Sequence, residues 1–92
     1  MVLKEELVAQ MDAIFEEIRK EREYQAGKWS PEFDRKNTLN DWVTYICRYA
    51  SEAAFQDHLE DSRVKLLKAA ALCVASLQYY DASGFAPRHY DK

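Results

Sequence analysis

Residues 7–18 read LVAQMDAIFEEI. Leu7, Met11, Ile14 and Ile18 recur at spacings of four, three and four, and Val8 and Phe15 lie beside them. That period belongs to one face of an α-helix, not to the alternation of a strand. The opposite face carries Glu6, Asp12, Glu16, Arg19, Lys20 and Glu23. Glu16 and Lys20 stand four apart in the favoured order for a helical ion pair. The spacing predicts a helix over about 3–25, with Gly27 as its stop signal.

Two further segments repeat this logic. Leu39, Trp42, Ile46, Tyr49 and Ala53 trace a second stripe, flanked by Val43 and Ala50. Thr38 followed by Asp41 resembles a capping arrangement, which predicts a helix over about 38–56. The third helix is expected over 62–81, with Asp61 as N-cap and QDHLEDS as the connection before it. From Ala69 to Leu77 it reads AAALCVASL, apolar or small nearly all round. Such a helix is expected to be buried on nearly all sides. Two other helices do not easily surround it. The third helix is therefore expected to form the centre of a homodimer or tetramer. Gly84 ends it, and the tail 82–92 has Phe85 and Tyr90 available for docking.

The fold class is thus all-α: an antiparallel bundle of three main helices in one domain, 1–92. Composition agrees. The chain has 92 residues, 48% hydrophobic and 32% charged, a globular balance too short for two domains. Gly and Pro occur only twice each, which disfavours a turn-rich β fold. A monomer this small is marginal, so partners of its own kind are expected. The net charge of -3 disfavours a nucleic-acid binder. No run is long and apolar enough to span a bilayer, and MVLKEELVAQ lacks the core of a signal peptide; a cytoplasmic location is expected. Cys47 and Cys73 read as two buried reduced thiols, without a second ligand at metal spacing.

The functional question concentrates in residues 21–42, EREYQAGKWSPEFDRKNTLNDW. Its connector, 26–37, is long for a bundle, and Ser30-Pro31 marks a turn or a short helical start. Tyr24, Trp29, Phe33 and Trp42 give it unusual aromatic surface. They either cap the end of the bundle or wall a pocket on which a base stacks, with Lys28 and Arg35 at the rim. Arg63, Lys65 and Lys68 open the third helix, where cations meet no help from the dipole; phosphate or nearby carboxylates would answer them. Inward carboxylates are how helical bundles hold metal. The candidates are Glu17 and Glu21, one turn apart, and Asp41.

EREYQAGKWS, NTLNDWVTYICRYASEA and VKLLKAAALCVASLQ together resemble the small MazG-like helical proteins of phages and mobile gene cassettes. The likeness covers most of residues 21–78. It implies an all-α oligomer related to Mg²⁺-dependent nucleoside triphosphate pyrophosphohydrolases. Those enzymes hold metal with E-E-x-x-E on one helix and E-x-x-D on the next. Here the corresponding stretch keeps only Asp41, and Lys65 and Lys68 stand where the second set of acids would be. Three readings remain open. Glu17, Glu21 and Asp41 form a rearranged Mg²⁺ site, with Lys28, Arg35 and Lys65 on phosphate; or the protein binds a nucleotide without hydrolysing it; or only the fold is shared. A non-enzymatic interaction module of a mobile element is the alternative function.

Overall fold

The computed structural model describes residues 3–90. These form four helices: α1 Lys4–Lys28, α2 Pro31–Arg35, α3 Leu39–Ala53 and α4 Leu59–Ser83. Among the described residues there is no strand, and no helix is long and apolar enough to cross a membrane.

The helix ends follow local chemistry, with some shifts from expectation. Thr38 caps α3 in a full capping box: its hydroxyl accepts from the Asp41 N–H at 3.1 Å, and the Asp41 carboxylate accepts from the Thr38 N–H at 2.9 Å. Ser30 caps α2 by accepting from the Phe33 N–H at 3.2 Å, with Pro31 in the first turn where its missing N–H costs nothing. α1 runs past Gly27, which is an ordinary helical residue here. The chain leaves the helix at Trp29, in extended backbone. Gly84 is the glycine used as a terminator, with φ of 73°.

α3 stops three residues short of the expected end. The Ala54 and Phe55 N–H groups bond back three residues, to the Ser51 and Glu52 carbonyls, which tightens the chain into a turn. α4 begins two residues before Asp61, so Glu60 and Asp61 lie in its first turn, facing the positive end of the dipole. Ser62 donates its hydroxyl to the Ala53 carbonyl at 2.6 Å and fastens the α3–α4 turn.

The core lies between α3 and α4. Trp42, Leu72 and Ala75 are its buried centre, with Tyr45, Ile46, Tyr49, Tyr79 and Phe85 packed around them. Trp42 stacks on Tyr79 at 5.7 Å between ring centroids. The tail docks: Phe85 joins the core, the Ala86 N–H bonds to the Asn37 carbonyl at 3.2 Å, and the Asn40 amide donates to the Tyr90 hydroxyl at 3.1 Å.

α1 packs on α4 through its second half only. Glu17 meets Arg63 and Glu21 meets Lys68, so the pairs climb both helices together and the two run in the same sense. Glu17 lies 13 residues into α1, whereas Arg63 lies four into α4. The first half of α1 therefore projects past the start of α4. Its stripe, expected to face the core, is uncovered: Leu7, Val8, Met11, Ile14 and Phe15 are between 43% and 57% exposed.

α4 also departs from expectation within this chain. Ala69, Ala71, Leu72, Ala75 and Ser76 are buried, but Leu66, Cys73, Val74, Leu77 and Tyr80 face outward. Two helices cover only part of its circumference. The same geometry corrects the reading of the cysteines. Cys47 and Cys73 sit on outer helix faces as exposed free thiols.

Candidate functional site

The long connector is folded into a wall. α2 lays Phe33 beside Trp29, across from the Trp42 face of α3. The result is a cavity of about 150 Å³. It is lined by the rings of Trp29, Phe33, Trp42, Tyr45 and Tyr49, by Leu72 below, and by Asp34, Asn37 and Arg48. Trp42, Tyr45 and Tyr49 follow at i, i+3 and i+7 on α3, which puts them on one face. Trp42 both fills the core and borders the cavity.

Cations surround this aromatic wall. Arg48 is part of the lining. The Lys28 ammonium lies 5.2 Å from the Trp29 ring centroid, and the Lys65 ammonium 5.5 Å from that of Tyr49. Both distances fall within cation–π range. Arg48 and Lys65 share one counter-ion. Glu52 accepts from Arg48 Nε at 3.1 Å and from Lys65 Nζ at 3.0 Å. Lys65 first and Arg48 second hold the Glu52 carboxyl below its ordinary value.

Two polar residues are buried where α2 meets the tail. Asp34 accepts the Asn37 N–H on its backbone carbonyl at 3.1 Å, and Asn37 in turn accepts from Ala86. Tyr79 reaches Asp34 from α4. Burial pushes the Tyr79 phenol above its ordinary value, and the charge of Asp34 and a hydrogen bond to it push the same way; Arg22 and Arg35 oppose. One donor at this centre has no acceptor among the described residues: the buried Trp42 indole N–H.

The expected site residues divide clearly. Trp29, Phe33 and Trp42 come together around the cavity. Tyr24 does not line it; it is exposed and lies under the ammonium groups of Lys28 and Lys68. Lys28 and Lys65 lie against lining rings, and Arg35 is exposed on α2. Tyr45, Arg48 and Tyr49 were absent from the expected site. Their spacing from Trp42 along one helical face is the signal that would have found them.

The structure does not gather the three candidate carboxylates into one cluster among the described residues. Glu17 and Glu21 share an open groove between α1 and α4 with Lys20, Tyr24, Val64 and Leu67. Arg63 takes both oxygens of Glu17 and holds its carboxyl below the ordinary value. Lys68 Nζ meets Glu21 Oε1 at 3.4 Å. Asp41 is committed to the cap of α3. Among the described residues, no three of His, Cys, Asp and Glu gather closely enough to hold a metal ion. Whereas Arg63 takes both oxygens of Glu17, Lys68 takes only Oε1 of Glu21; the Glu21 Oε2 is buried without a hydrogen-bond partner among the described residues.

No family model, curated protein or solved structure matches this chain.

Proposed function

We propose that the chain is a MazG-like helical protein that binds a nucleotide in the aromatic cavity without metal-dependent hydrolysis at Glu17, Glu21 and Asp41. One observation carries the reading: five aromatic rings border a single cavity, with Arg48 in its lining and Lys28 and Lys65 against its rings. A planar base gains stacking from such rings, on the order of 1–3 kcal/mol per base. A phosphate gains charge-assisted hydrogen bonds from Arg48 and Lys65 by taking over part of the role of Glu52.

The test is a panel of nucleoside triphosphates, each with and without Mg²⁺ or Mn²⁺, scored by tryptophan fluorescence, thermal shift and pyrophosphate release. At least one nucleotide is expected to quench fluorescence and raise Tm, without pyrophosphate release. Trp29→Ala and Arg48→Ala are each expected to weaken that binding about tenfold or more, in line with ~1.4 kcal/mol or more lost per variant. No quench and no shift across the panel would sink the reading. Metal-dependent pyrophosphate release would establish a hydrolase instead.

A second reading has its own support. The outer face of α4, with Leu66, Val74, Leu77 and Tyr80, is a large apolar surface for so small a chain. It suits a non-enzymatic interaction module, or self-association through residues 62–81. A monomer by light scattering at micromolar concentration would remove self-association by any face.

A further inference from the structure

We infer that the base taken by the aromatic cavity is guanine, an inference that rests on the nucleotide reading and names its ligand more closely. The lining is not all aromatic. Asp34 and Asn37 border the cavity as well, and they are only 8% and 7% exposed. Polar side chains so far buried are costly unless something bonds them. The backbone of Asn37 is fully engaged: its N–H donates to the Asp34 carbonyl at 3.1 Å, and its carbonyl accepts from the Ala86 N–H at 3.2 Å. Its side-chain amide has no hydrogen-bond partner among the described residues, and its atoms are not sealed in the packing. The open space beside it is the cavity.

Asp34 has acceptor capacity to spare. A carboxylate offers about four lone-pair sites. Among the described residues the Tyr79 hydroxyl is the donor that reaches it. The bond between the two backbones keeps this carboxylate and the Asn37 amide side by side. Arg48, the cation of the lining, lies nine residues past Leu39 on α3, roughly 14 Å along the helix axis. Base edge and phosphate are thus met by different residues.

Among the common bases this pattern selects one. Guanine presents N1–H and an exocyclic N2–H together, two donors that match the two oxygens of a carboxylate, with the O6 acceptor beside them. The Asn37 amide nitrogen answers O6. Adenine and cytosine carry a ring lone pair where guanine has N1–H, and uracil flanks its one N–H with carbonyls. Each of these sets at least one acceptor against the Asp34 carboxylate. A site built on hydrogen bonds rejects ligands that leave its polar groups unpaired. The cavity of about 150 Å³ is small beside the ~300–1,000 Å³ of sites that enclose a whole drug-sized ligand. It suits the ring system alone, with the phosphates outside it toward Arg48 and Lys65.

The wild-type chain is titrated without metal against GTP, inosine triphosphate, ATP, CTP and UTP, followed by tryptophan fluorescence. GTP is expected to bind roughly 10- to 100-fold tighter than ATP, CTP or UTP. Inosine triphosphate, which lacks only the N2 amino group, is expected to bind about tenfold weaker than GTP. Asn37→Asp sets an acceptor against O6 and is expected to weaken GTP binding about tenfold or more, with helical content retained by circular dichroism. Asp34→Asn keeps an acceptor for Tyr79 and is expected to erase most of the difference between GTP and inosine triphosphate. Equal affinity of the wild-type chain for GTP and inosine triphosphate, or for GTP and ATP, overturns the guanine assignment and leaves nucleotide binding in the cavity standing. No binding by any of the five overturns both.

Discussion

Tyr79 is held from two sides. Its ring stacks on Trp42, worth about 0.5–1.5 kcal/mol beyond area, and its hydroxyl reaches the buried Asp34. Its pKa is raised, so the phenol stays neutral in the folded state at pH values where the unfolded chain ionises. That contribution is complete below the ordinary value of 10.0 and is lost as pH rises from there through the folded value. Urea midpoints are therefore expected to fall above about pH 10. In Tyr79→Phe this part of the alkaline loss disappears, while the ring that stacks on Trp42 is kept. The sequence marked Trp42 as important, since it fell on the stripe of α3. It did not mark Tyr79 or Asp34, because their pairing joins α4 to α2 across a distance that no local spacing encodes.

At the scale of elements, the capping signals were the most reliable. Thr38 with Asp41 and Ser30 with Pro31 place α3 and α2 where their side chains satisfy backbone N–H groups, and both were legible because capping is local. Gly27 misled for an equally physical reason. Glycine terminates a helix by adopting a left-handed conformation, and Gly27 is not asked to. A Cβ added there meets nothing within 4 Å. Gly27→Ala is accordingly expected to stabilise the protein by up to about 1 kcal/mol, read as a higher Tm with unchanged helical content. The surface pairs of α1 with α4 work the other way. Glu17 with Arg63 is exposed, and Arg63→Ala is expected to matter less in 1 M salt than in dilute buffer, as chemical denaturation at both ionic strengths would reveal.

For the whole molecule, helical character was legible throughout, and what covers each helix was not. The stretch AAALCVASL reads as enclosed because it is apolar nearly all round. α1 and α3 cover only the alanine side of it, which leaves Leu77 and Tyr80 outward. Periodicity counts apolar faces, and a three-helix arrangement of this length has too little chain to cover them all. Cys47 and Cys73 follow the same geometry. Both are expected to react with an aromatic disulfide reagent in the native state, two equivalents per chain, without denaturant. The cavity was half legible. Its aromatic content stood in the connector, but Tyr45, Arg48 and Tyr49 enter it only because α2 folds back over α3.

The docked tail has a consequence for the order of folding. Asn40 and Tyr90 are 50 residues apart in sequence, so their contact closes a long loop if formed first. Once Trp42 has met Tyr79, only short lengths of chain separate each from the tail contacts, and the remaining entropy cost is small. The segment after Gly84 is thus expected to act as a late latch, sealing over the start of α3 after the helical hairpin has closed.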